Sequence, residues 1–316
     1  MNSFDTILVY TDLSAAGNNA VRRAALLARE HDARLSILHV IGRNGAQDAG
    51  NDRSRTIVPA STVTQVHVDL RRLFDELSET FDVSAHLVVK IGDPLDVLMS
   101  ESRGASLVVL GQRAGRSIKD MMFGTRAGRL LDTCARPVLI VKQAVDGPYR
   151  RVLTGFDFTR TSEAAALTAA VLAPGADLHV THVFHSKQDD ALRRTDVPAA
   201  ILRKLRAREE AGVVARMQRR LVSIGFDSRE LCLAVIRGSS GSAILYQERT
   251  QDADLVAVGR QLRSKWLDTL LGSVSHRMLA CSHADLLVVP GPAESAASSH
   301  AVAQPARLVE KFASID

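Results

Sequence analysis

The stretch LVVLGQRAGRSIKDMMFGT, Leu107 to Thr125, opens as an apolar run and breaks at Gly111. It then carries Arg113, Arg116 and Lys119 and closes on Gly124-Thr125. A second stretch, LVAVGRQLRSKWLDTLLGS, Leu255 to Ser273, repeats the layout 148 positions later, with Gly259 and Gly272-Ser273 at the matching places. A continuous apolar run before each glycine reads as a strand buried on both faces, the mark of a parallel sheet covered on both sides.

The rest of the chain repeats in the same way. TILVYTDLS (Thr6 to Ser14) answers RVLTGFDFT (Arg151 to Thr159), with Asp12 and Asp157 145 positions apart, and LSILHV (Leu35 to Val40) answers LHVTHV (Leu178 to Val183). Near-constant offsets along two halves mean two copies of one unit. The joint falls near KQAVDGPYR, Lys142 to Arg150. The expected division is 1–144, 145–290 and a flexible tail, 291–316, which holds a short amphipathic segment with Leu308, Val309, Phe312 and Ile315 on one face. In the first copy, strands are expected near 6–11, 35–40, 84–89, 105–110 and 137–141, and helices near 14–31, 62–80, 94–103 and 121–134. Residues 42–61 are polar and read as a mobile loop. Alternating strands and helices with short connections predict an α/β fold with two doubly wound parallel sheets.

Composition bounds the function. The chain has 316 residues, 46% hydrophobic and 24% charged, and no apolar run near the ~20 residues that span a bilayer. No membrane partner is therefore expected. The net charge of +5 hints at anionic partners, but 40 basic against 35 acidic residues is close to balance. Aromatic residues make up 4%, too few for a base-stacking surface, so nucleic acid is not an expected partner. Cys134, Cys232 and Cys281 form no C-x-x-C pair and read as reduced thiols in small core positions of a cytoplasmic protein.

The chemistry-bearing positions gather at strand ends. In open parallel sheets, ligands bind beyond the carboxyl ends of the strands where strand order reverses. Asp12, Val40 and Gly111 lie at such ends, as do Asp157, Val183 and Gly259. A carboxylate there can accept hydrogen bonds from a ribose or a base edge. A glycine-punctuated loop lets backbone N–H groups reach phosphate oxygens, and Gly124-Thr125 at a helix start suits an anion. The bland alternatives are a capped helix start for Gly-Thr and an N-cap role for Asp12. GSSGS, Gly238 to Ser242, aligns with GDPLD, Gly92 to Asp96, and reads as a turn that starts a helix rather than a catalytic serine loop. His39 and His182 read as packed or hydrogen-bonded side chains. P-loop, dinucleotide, zinc-protease and serine-hydrolase motifs are absent, so neither a catalytic residue nor a metal site is expected.

Both halves resemble the universal stress protein family in its tandem two-domain form, over about residues 4–142 and 150–290. The family's loop, G-x-x-G-x9-G-[S/T], reads here Gly111-x-x-Ala114-x9-Gly124-Thr125 and Gly259-x-x-Leu262-x9-Gly272-Ser273. The strand-end aspartates and RPVLIV, Arg136 to Val141, also fit. The resemblance implies five-stranded parallel sheets of order 3-2-1-4-5, of the adenine nucleotide alpha hydrolase-like type. It also implies pairing of the two domains through their last strands, as in the family's homodimer, and leaves open a homodimer of the whole chain. Members that keep the loop bind ATP. The implied ligand is ATP or a related adenine nucleotide, with or without Mg, acting as a regulator in a stress response. It would be held by Asp12, Val40, Gly111, Arg113, Ala114, Gly124 and Thr125. The second set, Asp157, Val183, Gly259, Gly272 and Ser273, is expected to bind less readily because Leu262 replaces the second glycine. The alternative is an interaction module with vestigial sites that works through a protein partner. Asp285 stands where the first copy has Pro137, and a carboxylate there is expected to weaken the last strand at the domain interface.

Overall fold

The computed structural model describes residues 4–42, 58–112, 131, 133–184, 198–228, 231–260 and 273–291. The first repeat runs β1 (Thr6–Tyr10), α1 (Ala15–His31), β2 (Arg34–Gly42), α2 (Ala60–Phe81), β3 (Ala85–Gly92), α3 (Pro94–Glu101), β4 (Leu107–Gly111) and β5 (Val138–Val141). The second runs β6 (Arg151–Gly155), α4 (Arg160–Leu172), β7 (Asp177–Phe184), α5 (Ala199–Ser223), β8 (Leu231–Arg237), α6 (Ser240–Thr250), β9 (Leu255–Arg260), α7 (Ser273–Cys281) and β10 (Asp285–Pro290). Most of the expected helix at 121–134, most of the loop at 42–61 and nearly all of the tail lie outside the described residues.

All ten strands join one sheet of order β3-β2-β1-β4-β5-β10-β9-β6-β7-β8. Pairing within each repeat is parallel throughout, which gives the 3-2-1-4-5 order twice. The repeats meet where β5 and β10 pair antiparallel, Leu139 opposite Leu287. The continuous apolar strands are buried on both sides. Leu107 and Val109 belong to one core cluster, under α1 and α2, and Val108 and Leu110 to the other, under α3.

Local signals set the helix ends. Ser14 caps α1 by accepting from Gly17 N at 3.2 Å, and Asp32, at φ 51°, closes it in the left-handed conformation. Asp93 caps α3 ahead of Pro94, and Thr159 caps α4. GSSGS turns into α6, with Ser239 at the N-cap. Cys134 is buried, but Cys232 and Cys281 are exposed, against expectation. Cys232 lies on β8, the outermost strand, and Cys281 is the last residue of α7.

Asp285 overturns the expectation of a weakened last strand. Its carboxylate is fully buried and accepts from Lys142 N (2.7 Å), Gln143 N (3.0 Å) and the Tyr149 hydroxyl (2.6 Å). Arg23 of α1 lies 3.5 Å from it, donates to Gly147 O at 2.7 Å and stacks on the Tyr149 ring. A proline at 285 would carry none of these acceptors. The carboxylate ties β10, the linker and α1 into one unit. Burial raises the Asp285 carboxyl above its usual range, against the bonds from Tyr149 and the two amides. Burial also lowers the Lys142 amine to about 8, against the pull of Glu248 and Asp285. The Lys142 ammonium donates to the carbonyls of Met278, Leu279 and Ser282 and so closes the end of α7. Removing one partner from a buried, hydrogen-bonded ionic cluster costs about 3–5 kcal/mol. Asp285→Ala is therefore expected to lower unfolding free energy by about that amount in urea titrations followed by far-UV circular dichroism.

Candidate functional site

The carboxyl ends of β1, β2 and β4 meet where strand order reverses, with β1 paired to β2 on one side and β4 on the other. The chain leaves β1 through Thr11 and Asp12. Thr11 N still donates to Leu38 O, and Leu13 then turns to φ 61°, a conformation that costs a branched side chain about 1 kcal/mol or more. The strain sits in a dense set of local bonds. Asp12 Oδ1 accepts from Ser14 N at 3.0 Å and from the Ser14 hydroxyl. Leu13 N donates to Thr11 Oγ1 at 2.9 Å, and the Thr11 hydroxyl donates to Asn18 Oδ1. Asp12 is therefore not the helix cap. It holds the cap, Ser14, in place.

Two glycines allow this approach. A Cβ on Gly17 would stand 2.7 Å from both Asp12 Oδ1 and Thr11 Oγ1, and a Cβ on Gly111 only 2.2 Å from Ala16 O. The first turn of α1 thus rests directly on the end of β4. Gly111 therefore serves as a packing residue as well as a strand end. In the next residue, Gln112 Oε1 is buried without a hydrogen-bond partner. The Val40 side chain is packed in the core, so only its backbone is left to meet a ligand. His39, beside it, donates from Nδ1 to Thr11 O at 2.9 Å.

The second repeat builds the same turn from different atoms. Phe158 takes φ 64°, as Leu13 does. Asp157 Oδ1 accepts from Thr159 N (3.1 Å) and the Thr159 hydroxyl (2.5 Å), and Ser162, in the place of Gly17, accepts from Asp157 N at 3.2 Å. Burial raises the Asp157 carboxyl, but the bonds from Thr159 and Ser162 outweigh it and hold the group below its usual range. Asp157 is exposed, and Val183 is half-buried. Gly259 repeats the close approach, with its Cβ position 2.5 Å from Thr161 O. Phe158 lies against His182 and Phe156, and the Arg216 guanidinium stacks on it at 4.1 Å.

The structure thus brings together Asp12, Val40 and Gly111, and likewise Asp157, Val183 and Gly259. Ser273 opens α7. Arg113, Arg116, Lys119, Ala114, Gly124, Thr125, Leu262, Arg263, Lys265, Trp266 and Gly272 lie outside the described residues. Sequence reasoning missed Ser14, Gly17, Thr159 and Ser162. The D-x-[S/T] pattern in TDLS and FDFT is the signal that marks the first and third. Among the described residues, no group of three or more His, Cys, Asp or Glu side chains could hold a metal ion.

The sequence model of the universal stress protein family matches twice, over residues 3–142 and 148–290. The chain belongs to the universal stress protein family. As a tandem universal stress protein, it is 28% identical over 293 residues to one from Mycolicibacterium smegmatis, covering 90% of this chain and 96% of that one. A universal stress protein of Bacillus subtilis, YxiE, is 28% identical over 148 residues and matches 44% of this chain and 99% of its own length. The fold matches the crystal structure of a universal stress protein from Archaeoglobus fulgidus at a TM-score of 0.64, with 20% identity, over 91% of this chain and 98% of that one.

His39 gives the site a pH dependence. Burial lowers its pKa from 6.5, against the bond to Thr11 O and the charge of Asp12. The unfolded chain binds this proton first as pH falls, so the stability due to neutral His39 is present above 6.5 and is lost as pH falls through the window below it. His39→Gln is expected to flatten the fall in urea-unfolding free energy between neutral and mildly acidic pH.

Proposed function

We propose that this tandem universal stress protein binds an adenine nucleotide, ATP or a close relative, in its first repeat as a regulatory ligand in the cytoplasm. The observation that carries the reading is the Asp12 carboxylate, fixed at the reversal point between β1 and β4 by Ser14 and given room by Gly17. Asp12 and the backbone at Val40 would face the nucleoside. Gly111, Arg113, Ala114, Gly124 and Thr125 would face the phosphates, the basic side chain supplying charge and the helix start its free N–H groups. The buried, unpartnered oxygen of Gln112 supports a donor group arriving at this edge, because buried acceptors are rarely left unmade.

The second repeat is the weaker site. Ser162 stands in the place of Gly17 and is bonded to Asp157 N, and Leu262 stands at the family's second loop glycine. Asp157, Val183, Gly259, Gly272 and Ser273 would still form it if a second nucleotide entered. The protein acts as a binding module rather than an enzyme. Asp12 and His39 are both engaged in holding the turn, Asp12 through the Ser14 amide and hydroxyl and His39 through Thr11 O, and the Ser14 hydroxyl is itself committed to capping α1. Binding would then act by favouring one conformation or partner over another.

A hydrogen bond to a charged group contributes about 1.5–3 kcal/mol, or roughly ten- to a hundredfold in affinity. Asp12→Ala is expected to weaken Mg-ATP binding by that factor in titration calorimetry, and Asp157→Ala to leave it within about twofold. Unchanged affinity in a folded Asp12→Ala protein would remove the assignment.

A further inference from the structure

Helix α5 carries a charge that its counterpart in the first repeat lacks. Residues 199–223 hold seven basic and two acidic side chains, a balance of +5 that equals the net charge of the whole chain. Helix α2, with two arginines and four carboxylates, balances at −2. Both helices bury equivalent residues against the sheet, Leu73 and Leu77 in α2 and Met217 and Leu221 in α5, 144 positions apart in each pair. The fold therefore needs no basic helix at this place.

The charge is ordered on α5. At helical spacing, the outward stripe holds Ile201, Lys204, Leu205, Arg208, Arg216, Arg219 and Val222, all exposed, with Arg216 also stacked on Phe158, and no carboxylate. Glu209 and Glu210 lie to the side, held by Arg237 at 3.0 and 3.2 Å, and Arg220 is committed to Glu163. From Lys204 to Arg219 the stripe runs about 22 Å along the axis. The matching places of α2 hold Ala60, Thr64, Arg72 and Asp75, and the helix's two arginines, Arg71 and Arg72, are offset by Asp75 and Asp69.

We infer that this face of α5 docks on a membrane surface rich in anionic lipid. Charge complementarity selects an anionic partner, and the apolar residues select its kind. Ile201, Leu205 and Val222 are 50%, 46% and 46% exposed on the same stripe as the cations. A nucleic acid backbone gives isobutyl and sec-butyl groups nothing to enter, whereas the boundary between headgroups and acyl chains takes them while basic side chains reach the phosphates. The chain would lie on the membrane rather than cross it, since no described helix is long and apolar enough to span. The inference is independent of the nucleotide site.

The test is co-sedimentation of the full-length protein with vesicles of phosphatidylcholine mixed with phosphatidylglycerol, against vesicles of phosphatidylcholine alone. Binding is expected to the mixture only, and to fall with salt. Each basic side chain near an anionic surface is worth about fivefold, so K204Q/R208Q/R219Q should lose about a hundredfold in partitioning. I201S/L205S should lose about tenfold or more, and R71Q/R72Q on α2 nothing. Thermal melting checks that each variant is folded. Absence of binding by the wild-type protein, equal binding to phosphatidylcholine alone, or full binding by the triple variant would overturn the inference. If the charge variant lost binding and I201S/L205S did not, the face would be a purely electrostatic surface, of a kind that suits nucleic acid, and the lipid assignment would fall.

Discussion

The backbone of the first turn of α1 lies directly on the end of β4, and only a glycine at 111 lets it. A Cβ there would stand 2.2 Å from Ala16 O, far inside any contact real atoms make. Gly259 and Thr161 repeat the constraint in the second repeat. Once α1 is seated this low, the turn between β1 and α1 has little space. Leu13 goes left-handed, Asp12 folds back onto Ser14, and residue 17 must be glycine beside the carboxylate. The strained turn is the candidate site. Its shape follows from helix packing before any ligand is considered.

The same helix reaches the junction between the repeats. Asn19 donates to Gln143 O, and Arg23 meets Gly147 O, Tyr149 and Asp285. Helix α1 thus has the candidate site at its start and the inter-repeat cluster at its second and third turns. Asp285 accepts there from three groups, Lys142 N, Gln143 N and the Tyr149 hydroxyl, and has the Arg23 guanidinium 3.5 Å away. Breaking such a cluster is costly, while well-packed apolar replacement of the whole set can be neutral. The cluster lies beside the antiparallel pairing of β5 and β10 through which the two repeats join.

Much of the fold was legible because parallel strands buried on both faces leave continuous apolar runs, as in Leu107–Leu110 and Leu255–Val258. The repeat then fixed the strand order by resemblance. Asp285 was misread because its partners, Tyr149 and two linker amides, are distant in sequence, and a lone carboxylate in a strand looks like a defect. Cys232 was placed in the core because strand periodicity does not show that β8 is the outermost strand of the sheet. At the site, Asp12, Val40 and Gly111 were legible as strand ends. The part that makes the turn work, Gly17 beside Asp12 and Ser162 beside Asp157, was not. It depends on a close approach in space that spacing along the chain does not reveal.

The two repeats share a backbone and differ in what they offer. The first packs Gly17 directly against Asp12 and Thr11. The second has Ser162 there, bonded to Asp157 N, stacks Phe158 under Arg216 and carries the basic helix. Division of labour between the repeats, with a ligand in one and a surface in the other, is the central claim. Its most direct test is the stoichiometry of nucleotide binding. The protein would be purified without added nucleotide, its bound nucleotide extracted by denaturation and quantified, and the emptied sites titrated with Mg-ATP. One adenine nucleotide per chain is the predicted result. Two per chain would contradict the asymmetry, and none up to millimolar ATP would contradict the nucleotide site itself.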